Sequence, residues 1–334
     1  MGEGGPDRED LPGGRGDLAV LRQSLVPEAL KFLRENILER GDLFGLDRSL
    51  WAEGLGLKRE GRTLFFAGCG YQFLEPSARF LGLAHRVEGW GIDWEVTWGL
   101  WRRLRGIGRL LVPKGRRNPL RDAVEVLRQE GIDVAYLGGR EPCCGAPLYF
   151  AGFQGDFSAR IPKVVEALKV SGAQQVIGMV PSCTYALREL MGGVPFEVIP
   201  FVSFLAQKMK LRRRLPRPMK VTYHDPCVLA RYLGVIEEPR DILRSVEGVE
   251  LVEPEASREW ATCCGGGGGF EAVFPQVSAH LARQRARELL ETGAEVIVTA
   301  CPGCLLQLQG GVRSLGARVQ VLDMGEFLAG AELL

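Results

Sequence analysis

The chain has 334 residues, 46% hydrophobic and 25% charged, with 42 Lys+Arg against 41 Asp+Glu. Such a composition belongs to a globular protein of about two domains. A net charge near +1 gives no basis for nucleic acid as a partner. No run of 18 apolar residues and no basic-then-apolar leader is present, so the expected compartment is the cytoplasm.

Residues 1–16 are rich in Gly, Pro and charge and read as a disordered tail. Residues 17–60 read as a helical segment, with apolar positions at helical spacing from Leu18 to Leu38 and a break near Pro27. A β-type run, Thr63–Ala67, ends at Gly68-Cys69-Gly70. Beyond it strands and helices alternate. Asn118-Pro119 opens a helix that Gly131 ends, Asp133–Leu137 reads as a strand leading to Glu141-Pro-Cys-Cys-Gly145, and residues 156–171 read as a helix. Gln175–Val180 is a strand ending at Pro181-Ser-Cys183.

The second half repeats the plan. Lys220–Tyr223 leads to His224-Asp-Pro-Cys227 and Glu250–Glu253 precedes Cys263-Cys-Gly265. A helix starts at Pro275 and runs to about Glu291, and Glu295–Ala300 ends at Cys301-Pro-Gly-Cys304. The order predicts an α/β fold of two pseudo-symmetric units, each a small, mostly parallel sheet with flanking helices: 61–206 and 220–334. Residues 207–219 read as a stiff, solvated basic linker, since the stretch QKMKLRRRLPRPM has no acid and two prolines.

The nine cysteines are arranged far from randomly. Chance gives about 0.2 adjacent Cys-Cys pairs in such a chain, yet two occur, each followed by Gly. The second pair follows the first by 120 residues, Cys301 follows Cys183 by 118, and Cys227 follows Cys69 by 158. The halves therefore align, with an insertion of about 38 residues after Cys69. Each cysteine group stands at or soon after the C-terminal end of a predicted strand, the edge where open α/β sheets bind ligands. Thiolates in a reducing compartment point to iron–sulfur clusters or zinc. Adjacent cysteines diverge, which suits a body of several metal atoms.

The second half reads Cys, 35 residues, Cys-Cys-Gly, 35 residues, Cys-Pro-Gly-Cys. This resembles the cysteine-rich CCG domain of the B-type and D-type chains of heterodisulfide reductase and of the iron–sulfur subunits of glycolate and lactate oxidases. The resemblance covers nearly the whole chain from about residue 60. It implies that Cys227, Cys263, Cys264, Cys301 and Cys304 hold a noncubane 4Fe–4S cluster, which in the family's heterodisulfide reductases attacks and cleaves a substrate disulfide. In the first half Cys69, Cys143, Cys144 and Cys183 match, but Ala186 replaces the last cysteine. Four thiolates suffice for a cubane 4Fe–4S cluster; a modified noncubane cluster and an empty site are the alternatives. Val228 stands where the family commonly has His.

Neither a ferredoxin cysteine run nor a dinucleotide glycine fingerprint is present, so electrons must come from a ferredoxin-like iron–sulfur subunit or a flavoprotein. A membrane-associated complex would place the chain peripherally at the inner face. The expected function is an iron–sulfur oxidoreductase subunit of heterodisulfide reductase type. The second reading is an electron-transfer subunit of a 2-hydroxyacid or quinone-linked dehydrogenase complex, and the third a zinc-stabilised scaffold.

Gly265 to Gly269 form a run whose first members, Gly265 and Gly266, are expected to let backbone approach the cluster, with Gly145 and Gly152 as lesser counterparts. His224 is a candidate proton donor to leaving thiolates, or else orients the turn before Pro226. His85 and His280 read as structural or surface residues. The insertion, about residues 75–117, carries Trp90, Trp94, Trp98 and Trp101 on one helical face, to be covered by its own domain, a partner subunit or a membrane surface.

Overall fold

The computed structural model describes residues 26–44, 48–74, 98 and 118–334. Short apolar runs such as Leu64-Phe-Phe and Val296-Ile-Val are buried throughout, as expected of parallel strands covered on both faces. In the first half β1 (Thr63–Phe66), β2 (Gln175–Gly178) and β3 (Glu197–Pro200) are parallel neighbours in that order. Ala135 makes a parallel bridge to Leu64 on the other side of β1. The second half has β4 (Arg213–Tyr223), β5 (Val246–Leu251), β6 (Val296–Thr299) and β7 (Gln320–Asp323), in the order β5–β4–β6–β7 and all parallel. A short β8 (Glu332–Leu333) pairs antiparallel with the start of β4. Ranked by position within each half, both sheets read second, first, third, fourth, with Ala135 standing for the second strand of the first half. The duplicated α/β plan is therefore present in the topology as well as in the cysteine spacing.

The helices follow their local signals. The side chain of Asn118 accepts from the N–H of Leu120 and caps the helix Pro119–Gln129, whose first residue has no N–H to satisfy. Helices Pro275–Leu290 and Pro302–Ser314 also open on proline. Asp323 and Glu326 form a capping box on the helix Met324–Ala329. Pro27 precedes the helix Glu28–Arg40, which ends on Gly41 at φ 80°.

The two halves meet in reciprocal fashion. Helix Phe201–Lys208, which follows β3, packs on helix Glu238–Ser245, between β4 and β5. Helix Met324–Ala329, which follows β7, packs on helix Pro119–Gln129, between β1 and the Ala135 bridge. Each half thus offers the same two helices to the other, the pattern of an isologous dimer joined into one chain. Polar links cross this interface as well. Arg213 Nη1 pairs with Glu130 Oε1 at 2.6 Å, and the Tyr71 hydroxyl donates to Asp323.

Three expectations need correction. Residues 213–219 of the proposed linker are the first part of β4, and Arg213 is 1% exposed. The two prolines misled because they fall where the β4–β5 register shifts, between Arg214 and Met219, and an irregular ladder tolerates proline. Asp133–Leu137 forms only the bridge at Ala135, and the strand expected at Glu250–Glu253 lies earlier, at Val246–Leu251. The tail 1–16 and Trp90, Trp94 and Trp101 lie outside the described residues. Trp98 is buried, with its ring 5.1 Å from that of Phe32 and its Nε1 donating to Ala272 O at 3.1 Å, so the chain itself covers this tryptophan.

Close packing of helices Pro275–Leu290 and Pro302–Ser314 depends on Gly311. A Cβ added there would stand 2.4 Å from Ala282 O. In an open helix Gly→Ala gains up to about 1 kcal/mol, but this clash with backbone cannot be relieved by a rotamer change. Gly311→Ala is expected to destabilise the second half by about 1–3 kcal/mol, read as a lowered thermal midpoint; an unchanged or raised midpoint would contradict the packing.

Candidate metal centre

Both sheets bring their cysteines to the C-terminal ends of equivalent strands. Cys69 lies in the short helix Gly68–Gln72 after β1, the Cys143-Cys144 pair follows the Ala135 bridge, and Cys183 lies in helix Pro181–Tyr185 after β2. In the second half Cys227 follows β4, Cys263-Cys264 follows β5, and Cys301 and Cys304 open the helix after β6. The first and third strands are neighbours in each sheet, so the groups converge on the crevice where strand order reverses.

The sulfurs come close within each half and none is in a disulfide. Cys144 Sγ lies 2.9 Å from Cys183 Sγ, and Cys264 Sγ lies 3.1 Å from Cys304 Sγ. The N–H of Gly145 donates to Cys143 Sγ at 3.5 Å and that of Gly265 to Cys263 Sγ at 3.3 Å, one bond in two copies. The first-half cysteines are all buried; in the second half Cys264 and Cys304 are buried, Cys227 and Cys301 half-buried and Cys263 exposed. Hydrogen bonds from Cys144 and Cys69 hold the Cys143 thiol well below its ordinary range. Bonds from Cys263 and Cys304 do the same for Cys264.

Seven of the nine cysteines line one cavity of about 750 Å³ between the halves: Cys69, Cys143, Cys144, Cys183, Cys227, Cys301 and Cys304. Gly266 to Gly269 line it as well, together with apolar residues that include Leu30, Leu33, Phe150 and Trp98. Gly265 does not. Its φ is 84°, and a Cβ there would strike Ser278 O at 2.3 Å, so this glycine serves the fit of the loop against helix Pro275–Leu290. Gly145, at φ 81°, similarly leaves room for the Phe157 ring.

The donor set discriminates between metals. A structural zinc holds four thiolates about 2.3 Å from one point, hence within about 4 Å of one another. Among the described residues the one group of three or more ligand atoms all within 4.8 Å of one another is His224, Cys264 and Cys304. Neither half gathers four sulfurs around a single ion. Soft thiolates spread over three strand ends fit a larger iron–sulfur body.

His224 is 1% exposed and is not among the cavity-lining residues. Its Nδ1 accepts from Arg285 Nε at 3.1 Å. Asp225 fixes the turn instead: it forms a bidentate pair with buried Arg240 at 2.7 and 2.8 Å and accepts the N–H of Arg258 at 2.8 Å. His280 is exposed, and His85 lies outside the described residues.

Several site residues have no signature in the sequence. Arg48 Nη1 lies 3.9 Å from Cys69 Sγ, a contact across 21 positions that no motif announces. Buried Glu141 accepts the N–H groups of Ala67 and Gly68 at 2.8 and 3.0 Å and so shapes the turn that carries Cys69. Burial pushes its carboxyl up to about 7, although Arg48 and those N–H groups pull it back. Its position two residues before Cys143 was the available signal. Arg285 stands mid-helix without any local marker.

The family model for the CCG cysteine-rich domain matches this sequence twice, over residues 109–188 and 221–309. The chain belongs to the CCG cysteine-rich domain family. Among curated members, the D chain of the dihydromethanophenazine:CoB–CoM heterodisulfide reductase of Methanosarcina barkeri is 37% identical over 217 residues, 62% of this chain and 53% of that protein. The EtfAB:quinone oxidoreductase of Syntrophomonas wolfei is 29% identical over 290 residues, 76% of this chain and 40% of that one. Lactate utilization protein A of Oceanobacillus iheyensis is 29% identical over 219 residues, 61% of this chain and 87% of that one. The chain spans about half the length of the heterodisulfide reductase chains it matches. Among the described residues of this CCG protein no helix is long and apolar enough to cross a membrane.

Proposed function

We propose that this CCG protein is the iron–sulfur subunit of a heterodisulfide-reductase-type oxidoreductase. Cys227, Cys263, Cys264, Cys301 and Cys304 would hold one 4Fe–4S cluster of noncubane type, and Cys69, Cys143, Cys144 and Cys183 a second 4Fe–4S cluster. When bound, such clusters supply one-electron storage and transfer. The reading is carried by one observation: thiols from both sets, at equivalent strand ends of two like sheets, line a single cavity large enough for a small substrate. The net reaction adds two electrons and two protons to a disulfide and yields two thiols. The electrons come from a ferredoxin-like iron–sulfur or flavin partner. The chain's own residues hold the thiolates, shield them behind apolar side chains and fix the surrounding turns.

The test is reduction of a disulfide by anaerobically purified protein with an artificial one-electron donor, run beside the same assay with a quinone. Thiol release at the expense of the donor supports the reading. Quinone reduction without thiol release would favour the second reading, an electron-transfer subunit, to which the likeness to the quinone oxidoreductase and lactate utilization proteins lends weight. Zinc in place of iron and sulfide would overturn both.

The two sites should also be spectroscopically distinct, because Ala186 removes one thiol from the first. Ala186 is fully buried at the start of a π-helical turn, Ala186–Leu190. Ala186→Cys is expected to change the Mössbauer parameters of the first site and leave those of the second unaltered. Native spectra with two equivalent clusters would contradict the asymmetry.

A further inference from the structure

We infer that His224 donates a hydrogen bond to Cys264 Sγ and that Arg285 fixes it in that role, so that the pair tunes the reduction potential of the second cluster. The inference rests on the reading that the second-half cysteines hold a cluster.

The tautomer follows from the partner. A guanidinium can only donate, so the Nδ1 that receives Arg285 Nε at 3.1 Å carries no hydrogen, and the ring hydrogen is on Nε2. Arg285 cannot turn away. It is 0% exposed, and its Nη1 is shared among Ala256 O, Thr262 Oγ1 and Glu288 Oε2 at 2.9, 3.2 and 2.8 Å. The imidazole is pinned from the other side as well. Its backbone N–H donates to Val298 O at 2.9 Å, and its carbonyl accepts from Thr299 Oγ1 at 3.2 Å.

With Nδ1 engaged, Nε2 is a buried donor with no hydrogen-bond partner, sulfur included, among the described residues. Leaving such a group unpaired is costly. The ligand atoms of His224, Cys264 and Cys304 all lie within 4.8 Å of one another, so in the loaded site a thiolate sulfur is the acceptor within reach.

That trio also has the look of a metal site with histidine as ligand, and the tautomer argues against it. A ligating imidazole presents a bare nitrogen to the metal and donates its other N–H to an acceptor. Here the nitrogen that meets Arg285 is the bare one and the other bears the hydrogen. His224 therefore acts on the cluster through Cys264. Hydrogen bonds to cluster sulfurs and a fixed positive charge behind them favour the more negative, reduced state and raise the potential. The first half lacks this donor, because the residue three before Cys69 is Phe66, fully buried.

The experiment is a potentiometric titration of the anaerobically purified full chain, followed by EPR, with iron and sulfide measured in parallel. His224→Phe, which copies the first half, is expected to keep its iron and to lower the reduced-to-oxidised ratio of the second cluster about tenfold at fixed poise, equivalent to about 59 mV for a one-electron couple. His224→Gln, whose amide N–H reaches the same place, should restore the native ratio to within about twofold. An unchanged ratio in His224→Phe would overturn the inference. So would loss of second-site iron in both variants, which would make His224 a ligand. If either variant fails to fold, pulsed EPR on native protein labelled with ¹⁵N-histidine decides. A weak nitrogen coupling with an exchangeable deuteron is expected; a strong, directly coordinated coupling, or none, overturns the assignment. The parent reading fails separately, if Cys264→Ala retains its full iron content.

Discussion

Replacing Cys264 by alanine is expected to strip the second site of its iron and acid-labile sulfide and to leave the first site loaded. Cys264 is 3% exposed, and its sulfur lies 3.1 Å from that of Cys304. Of the two cysteines in its pair it is the one held towards the thiolate, the form that binds metal. The variant loses that ligand and also the acceptor for its neighbours' hydrogen bonds. Iron per chain should fall by roughly half if each site carries four irons. Because cluster binding and folding are coupled, the thermal midpoint should fall as well. Iron content equal to the native protein would refute the ligand assignment. Loss of iron from both sites would mean that the halves fold around their clusters as one unit.

The second large effect belongs to the clasp between the halves. Arg213→Ala is expected to cost about 3–5 kcal/mol, because it leaves Glu130 buried and short of its cation. The side chains of Arg213 and Glu130 are 1% and 0% exposed, and the pair joins the start of β4 to the end of helix Pro119–Gln129. Burial pushes the Glu130 carboxyl up, but the N–H groups of Lys210 and Leu211 and the Arg213 guanidinium more than offset it and hold the group below its ordinary range. A depressed carboxyl contributes stability above its unfolded pKa and loses it as pH falls through the folded value. The native protein should therefore weaken on the acid side more steeply than Arg213→Ala does. The double variant Arg213→Met with Glu130→Leu should recover most of the loss, since an apolar pair can replace a buried ion pair. A thermal midpoint of Arg213→Ala within a degree or two of native would show that the clasp does not hold the halves.

The cysteine framework was legible in the sequence because ligand spacing survives as a linear pattern: Cys-Cys-Gly twice, at matching offsets, each near a strand end. The parallel sheets were legible for a related reason, as buried strands read as short apolar runs ended by cysteine or glycine. Strand β3 and strand β7 were missed; each is a four-residue edge strand with no flanking motif. The basic run before Lys220 misled because charge and proline are signs of solvent, whereas Arg213 is neutralised by a residue 83 positions away. The electrostatic environment of the thiols was invisible for the same reason. Arg48 and Arg285 act across long separations, and a lone arginine within a helix or loop carries no positional code. His224 was visible as a residue beside a ligand, but its tautomer depends on Arg285, 61 positions on.

The reciprocal helix contacts between the halves have a consequence for direction. In a dimer of two identical chains the two sites would be degenerate, and an electron arriving at one would have no preference for the other. Joining the two copies in one chain lifts that degeneracy. One copy could exchange a thiol for Ala186 and keep Phe66, while the other kept all five thiols and the His224 imidazole, within a frame whose symmetry still sets the two sites facing one cavity. Fusion thus turns an exchange between equals into a step with a before and an after.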